Sequence, residues 1–301
     1  MHQLRDIQRT QQRQGNQREP FITRSELPQP AGNDLLNIGR IQTINMAQTV
    51  NTRKRIIQGH KKTSPLATIR CMQINVQHSR TVTDNLMNLI EQDSSDVIFM
   101  QEPYLYNNRM AGLRNSSRSY ISPASTSRAA ILITNNKIDA ILIKQLSNSD
   151  CVLIELKYNN TKFYAASMYF DITEKIEREL DKMEEILDFT KGNGLLIAVD
   201  SNSRSTTWHD SQTNKRGEIL EEYVISRNLH IMNEESDQTT FQGRRGSSNI
   251  DVTIVNYQLL NALQNWEISE EEFCSDLNII KFDHRQDSST ILNTETPDTD
   301  M

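Results

Sequence analysis

Five polar residues, Asn75, Glu102, Asp200, Asn202 and Asp251, each stand at or just beyond the end of an apolar run. In a sheet covered on both faces, groups at such positions emerge along one edge, where ligands bind. Their chemistry suits a phosphodiester, which resists hydrolysis because the nucleophile must approach an anion and the leaving oxygen develops negative charge. Glu and Asp carboxylates can hold a hard Mg²⁺ ion that offsets both charges, and Asn can orient a water or a phosphate oxygen without adding a repelling charge. Singly, each position is ordinary: an acidic residue ending a strand is more often a solvated cap, and Asp-x-Asn is common in turns. The ordered set carries more, with Trp208 after Asp200-Ser201-Asn202 and Thr239-Thr240-Phe241 before Ser248-Asn249-Ile250-Asp251.

The elements that must position these groups read as alternating strands and helices. Residues 68–75 have strand composition, 82–90 helix spacing and 96–102 a second apolar run, which makes one β-α-β unit. Strand-like runs at 129–134, 138–143, 151–158 and 161–170, separated by Asn-rich turns, predict antiparallel hairpins. An amphipathic helix over 173–190, stopped by Lys191-Gly192-Asn193-Gly194, leads into a buried strand at 195–200. A helix over 217–228 and short strands at 229–232, 249–255, 266–268 and 279–282 follow. Mixed sheets with helices outside predict an α/β sandwich, one domain over 68–286.

The flanks differ in kind. Residues 1–67 hold 11 Lys and Arg against 4 Asp and Glu, leaving 22 against 35 for the rest of a chain whose net charge is -6. This Gln-rich segment lacks apolar periodicity and reads as a disordered basic arm, either a solvated leader or a holder of nucleic-acid phosphates. Residues 287–301 read as a disordered tail. No stretch approaches the roughly 18 apolar residues of a membrane span, and the first residues lack a secretory segment, so the expectation is an intracellular protein with no membrane partner. Cys71, Cys151 and Cys274 are widely spaced and odd in number, which predicts free thiols and neither a disulfide framework nor zinc.

Taken in order, Gln73-Ile74-Asn75, Gln101-Glu102-Pro103-Tyr104, Ser167-Met168-Tyr169, Asp200-Ser201-Asn202 with Trp208, Thr240-Phe241, Ser248-Asn249-Ile250-Asp251 and Ser275-Asp276 resemble the endonuclease/exonuclease/phosphatase superfamily. The pattern is most similar to the apurinic/apyrimidinic-type endonuclease domains of non-LTR retrotransposons, especially insect elements, and covers residues 68–286. The resemblance implies a four-layer α/β sandwich, two mixed sheets flanked by helices, and Mg²⁺ or Mn²⁺ as cofactor. It implies DNA as partner, nicked to leave a 3′-hydroxyl that primes reverse transcription, and a nuclear place if the substrate is chromosomal. By position, Glu102 matches the metal-binding glutamate and Asn75 the asparagine beside it. Tyr169 matches a phosphate-contacting tyrosine, Asp200 the residue that aligns the attacking water, and Asn202 one that holds the scissile phosphate. Asp251 matches the carboxylate that orients a histidine, and Asp276 the one preceding that histidine. Gln77 stands where some members are acidic.

The histidine itself is Leu277 here. A leucine can neither donate a hydrogen bond nor carry charge, and losing one such group typically costs on the order of 10²- to 10⁴-fold in rate. His284 lies seven residues downstream, too far along an extended strand to substitute, and His209 reads as an exposed loop histidine. Glu270-Glu271-Glu272 reads as a solvated face. The candidates for a nucleic-acid interface are Tyr104, Trp208, Arg244 and Arg245: Tyr104 and Tyr106 read either as base-stacking groups or as edge packing, and Arg244-Arg245 either as phosphate contacts or as a solvated hairpin tip, in a loop that faces DNA in the family layout. The expected activity is therefore a DNA-nicking endonuclease impaired at position 277. The alternatives are a catalytically dead relic that binds nucleic acid and a phosphatase acting on a small phosphoester.

Overall fold

The computed structural model describes residues 68–110, 112–113, 116–123, 126–243, 246–269 and 278–285. The expected arm and tail, Cys274, and the site candidates Arg244, Arg245, Asp276 and Leu277 lie outside them. Along the chain come β1 (Thr68–Asn75), α1 (Arg80–Asp93), β2 (Val97–Gln101), a small hairpin of β3 (Leu105–Tyr106) and β4 (Arg109–Met110), β5 (Arg118–Ile121) and β6 (Ala129–Ile133). They are followed by β7 (Asp139–Leu142), β8 (Cys151–Tyr158), β9 (Thr161–Tyr169), α2 (Ile176–Thr190), β10 (Gly194–Asp200) and α3 (Lys215–Ser226). The last elements are β11 (Leu229–Ile231), a hairpin of β12 (Phe241–Gly243) and β13 (Gly246–Ser248), β14 (Asp251–Asn256), β15 (Leu263–Ile268) and β16 (Ile280–Arg285).

Two six-stranded sheets result, in the orders β15-β16-β1-β2-β6-β5 and β11-β14-β10-β9-β8-β7. Each contains one parallel pair, β1 with β2 and β9 with β10. A parallel pair cannot be closed by a tight turn and needs a crossover, which α1 and α2 supply. The sequence of β1 shows why the result has four layers. Ile69 and Cys71 point between the sheets with Phe99, Ala165 and Ala198, whereas Met72, Ile74 and Val76 point outward against Val82, Leu86 and Ile90 of α1. On the far side, Leu195, Ile197 and Val199 of β10 pack on Ile176, Leu180 and Met183 of α2 and on Leu220 and Val224 of α3. Strands buried on both faces read as continuous apolar runs, and that is what the sequence carries. Among the described residues no helix is long and apolar enough to cross a membrane.

Local chemistry sets the helix ends. Ser79 caps α1, its hydroxyl accepting from the Val82 amide at 3.3 Å. The helix expected to begin at 173 begins at Ile176 because Asp171 Oδ1 accepts from the Thr173 amide (2.8 Å) and hydroxyl (2.7 Å), an Asx turn that holds 171–173 outside it. α3 starts at Lys215, two residues before its expected start, because Asn214 caps it by accepting from the Gly217 amide at 2.8 Å. Cys71 and Cys151 are buried free thiols, as expected.

Gly217 is where α3 touches the loop that leaves β10. A Cβ there would lie 1.8 Å from the Arg204 carbonyl oxygen. Alanine normally favours a helix over glycine by about 1 kcal/mol, but a backbone clash of this kind costs about 1–3 kcal/mol. Gly217→Ala is therefore expected to destabilise the fold in urea unfolding, and a stabilised variant would contradict this packing.

Candidate active site

The parallel pairs make the site. Their C-terminal ends meet at one edge of the sandwich, where the lining between the sheets changes from apolar to polar. Across the second sheet, Tyr169, Asp200 and Asp251 are direct neighbours on β9, β10 and β14, and across the first, Asn75 stands beside Gln101. Asn75 Nδ2 donates to Asp200 Oδ2 at 2.8 Å, which joins the two sheets. One layer deeper, Gln101 Nε2 donates to Ser167 Oγ (3.1 Å) and to the Ala198 carbonyl (3.2 Å), and Ser167 Oγ donates to the Met100 carbonyl (3.0 Å).

The loops above this edge are tightly tied. Asn75 Oδ1 accepts from the Gln77 amide at 2.8 Å, and the His78 amide donates to the Glu102 carbonyl at 2.7 Å. Gln77, His78, Glu102 and Asn202 all have left-handed backbone, with φ of 52°, 51°, 48° and 46°. Such conformations cost on the order of 1–3 kcal/mol each and persist where the surroundings over-determine them. Glu102 carries a partly exposed carboxylate whose Oε1 stands 3.7 Å from His78 Nε2. Asp200, buried, also accepts from the Asn202 amide at 3.2 Å, and Asn202 Nδ2 donates to the Phe170 carbonyl at 2.9 Å.

Burial governs the electrostatics. Asp200 is pushed up to about 6, chiefly by desolvation, with the bonds from Asn75 and Asn202 opposing the rise and the charge of Glu102 adding to it. Asp251 is raised well above the usual carboxylate range, by burial and then by the charge of Asp200, with the nearby Thr240 hydroxyl opposing the rise. Neither of its carboxylate oxygens meets a hydrogen-bond partner among the described residues. Tyr169 is pushed up to about 12 by burial and by the charges of Glu102 and Asp200. Arg128, paired with Asp150 at 2.5 Å and with Asp171, lies over the Tyr169 ring, 4.9 Å from its centroid, and opposes that rise.

Three carboxylates thus gather at one edge, Glu102, Asp200 and Asp251, with the charge of Glu102 acting on Asp200 and that of Asp200 on Asp251. A hard divalent cation would relieve this repulsion, and Glu102 with the Asn75 amide oxygen supplies the kind of donors Mg²⁺ takes while keeping several waters. Among the described residues, no group of three or more His, Cys, Asp or Glu side chains that could hold a metal ion forms.

Most expected site residues converge: Asn75, Glu102, Tyr169, Asp200, Asn202 and Asp251 share this edge. Trp208 is a correction. Expected at the nucleic-acid interface, it is fully buried, donates Nε1 to the Asn249 carbonyl at 2.9 Å, and has no face to offer a base. Its motif is a clamp: Asn249 Nδ2 donates to the His209 carbonyl (2.7 Å), its amide to Asp210 Oδ2 (2.7 Å), and its Oδ1 accepts from the Thr240 amide (2.9 Å). This fastens the loop bearing Asn202 to the start of β14. Tyr104 is half-buried, two residues beyond Glu102, and Tyr106 is 65% exposed. His209 is exposed, as expected. His284 lies on β16 opposite Ile69, stacked on Phe163 at 4.3 Å. Ile69 precedes Asn75 by six residues, so His284 sits roughly 20 Å from the site at about 3.3 Å per residue. Arg128, Gln101 as an inter-sheet tie and His78 were missed; each is polar beside an apolar run, a pattern shared with many solvated residues.

The family described as Endonuclease-reverse transcriptase matches residues 163–281. A protein of Drosophila melanogaster, the putative 115 kDa protein in type-1 retrotransposable element R1DM, is 27% identical over 218 residues, 69% of this chain and 21% of that protein. A retrovirus-related Pol polyprotein from type-1 retrotransposable element R1 of Bradysia coprophila is 27% identical over 161 residues, 51% of this chain and 16% of its own length. The chain thus spans about a fifth or less of these relatives. Among solved structures, the endonuclease domain of TRAS1, a telomere-specific non-LTR retrotransposon, matches with a TM-score of 0.66 and 26% identity over 72% of this chain and 98% of that one. The chain is similar in sequence and in fold to this retrotransposon endonuclease domain. An apurinic/apyrimidinic endonuclease from Leishmania major, 12% identical with a TM-score of 0.62 over 77% of this chain and 93% of that one, shares the fold.

The buried Asp251 carboxyl gives a pH test. Its folded-state pKa lies above its unfolded value, so the folded state holds the proton more tightly and stability falls as pH rises from the unfolded value toward the folded one. Asp251→Asn removes that loss. The variant is expected to gain on the order of 1 kcal/mol over wild type at pH 8, with a smaller gain at pH 5, in paired urea unfolding curves; an equal or reversed difference would contradict a carboxyl whose burial outweighs the stabilisation its surroundings offer the charge.

Proposed function

We propose that the chain is a metal-dependent phosphodiesterase that nicks DNA, of the kind found in non-LTR retrotransposons, and that its turnover is impaired at position 277. The observation that carries this reading is the Asn75–Asp200 bond, which sets Glu102, Tyr169 and Asn202 around one open edge. Glu102 and Asn75 would hold the ion; when bound, Mg²⁺ or Mn²⁺ supplies positive charge against the phosphate and the leaving oxygen. Asp200 is held by donors on both oxygens, from Asn75 and from the Asn202 amide, an arrangement that keeps its carboxylate aimed and able to take a proton from water. The Tyr169 hydroxyl keeps its proton at neutral pH and can donate to a phosphate oxygen, as can the second N–H of Asn202 Nδ2.

Support for impairment comes from two sides. Leu277 offers no donor or charge, and the Asp251 carboxylate, which the family resemblance pairs with a histidine, has no partner among the described residues. Asn278, next in the chain after Leu277, donates its amide to the Thr240 carbonyl at 2.8 Å, and the Thr240 hydroxyl accepts from the Asp251 amide at 3.2 Å. The basic segment 1–67 offsets the acidity of the rest of the chain as a source of phosphate contacts.

The test is nicking of supercoiled plasmid with Mg²⁺. Leu277→His is expected to nick faster than wild type by roughly one to four orders of magnitude, and Glu102→Ala to abolish cutting. Wild type nicking as fast as Leu277→His, with Glu102→Ala inactive, would contradict the role given to position 277. Binding of DNA without nicking by either protein would favour a nucleic-acid-binding relic.

A further inference from the structure

His78 stands beside the site with no role assigned so far. Its Nδ1 lies 3.1 Å from the Pro103 carbonyl oxygen. A carbonyl oxygen only accepts, so Nδ1 carries the hydrogen, and in the neutral ring the lone pair is on Nε2. That nitrogen stands 3.7 Å from Glu102 Oε1, beyond hydrogen-bond range, so in the neutral ring its lone pair faces a carboxylate oxygen. Two donors that share one ion at about 2.1 Å each stand between about 3.0 and about 3.6 Å apart when the angle at the ion is about 90° to about 120°. The observed gap is close to that span.

The surroundings hold the pair in this relation. The His78 amide donates to the Glu102 carbonyl at 2.7 Å, and both residues have left-handed backbone. The ring is half-exposed on the open side of the edge, where an ion can enter. An imidazole whose far N–H is tied to a carbonyl oxygen is also the arrangement that orients histidines on metals and raises their basicity.

We propose that His78 is a protein ligand of the ion held by Glu102, and that it widens the site's choice from Mg²⁺ toward ions that accept imidazole, such as Co²⁺ and Zn²⁺. The inference rests on the metal-dependent reading above. The competing account makes His78 an imidazolium companion of Glu102. The two differ in sign: removing a ligand weakens Co²⁺ binding, whereas removing a positive neighbour tightens binding of any cation.

The experiment is calorimetric titration of the full chain with Co²⁺ and with Mg²⁺, with the Co²⁺ visible absorption followed in parallel. His78→Ala is expected to weaken Co²⁺ binding about 10- to 100-fold, to move the Co²⁺ absorption toward that of an all-oxygen site, and to change Mg²⁺ affinity by no more than about threefold. Co²⁺ affinity unchanged or tightened in His78→Ala would overturn the proposal. If His78→Ala fails to fold, His78→Gly, which accepts the left-handed backbone, carries the same expectations. Glu102→Ala separates the two levels: it is expected to lose both ions, and wild-type binding of both by that variant would overturn the metal-dependent reading itself.

Discussion

A buried carboxylate between two sheets has to be held by donors or protonated, and the bond from Asn75 Nδ2 to Asp200 Oδ2 is this protein's answer to that constraint. It ties the end of β1 to the end of β10, which no apolar contact at this polar edge could do. Everything around the site follows from keeping those two ends in register. Asn75 is held by the Gln77 amide, Asp200 by the Asn202 amide, and Asn202 by Phe170, so a displacement of any loop would unseat the buried carboxylate. The left-handed residues crowd here because tight reversals directly at strand ends are needed to bring amides back onto Asn75 and Asp200.

The arrangement also separates chemistry from scaffolding in a way the residue types conceal. Trp208, Thr240 and Asn249 belong to the same sequence motifs as Asn202 and Asp251, yet they form a buried clamp, with Asn249 joining His209, Asp210 and Thr240. Their task is to fix the loop that carries Asn202. Arg128 stands in a similar relation to Tyr169, gripping Asp150 and Asp171 while its guanidinium covers the ring.

Much of this was legible in the sequence. Apolar runs buried on both faces gave the strands, and the polar residues that end β1, β9, β10 and the start of β14 were legible as a site because parallel pairs bring strand ends together. The small strand β5 was not legible, since its four residues alternate weakly, and neither was the Asx turn that delays α2, because Asp171 and Thr173 are equally common inside a helix's first turn. The burial of Trp208 was hidden for a different reason. A tryptophan has both an apolar body and a donor, and only the position of the Asn249 carbonyl decides that it faces inward. His78 was invisible because its neighbour Glu102 is distant in the chain and meets it only through the pairing of the β1 and β2 ends.

The proposed function turns on position 277: under it, a histidine there would act through Asp251, whose carboxylate meets no hydrogen-bond partner among the described residues. A double-mutant cycle on plasmid nicking measures this directly, with Leu277→His introduced into wild type and into Asp251→Asn. The account predicts that the rate gained by the histidine falls by at least about tenfold when Asp251 is neutral. An equal gain in both backgrounds would contradict it.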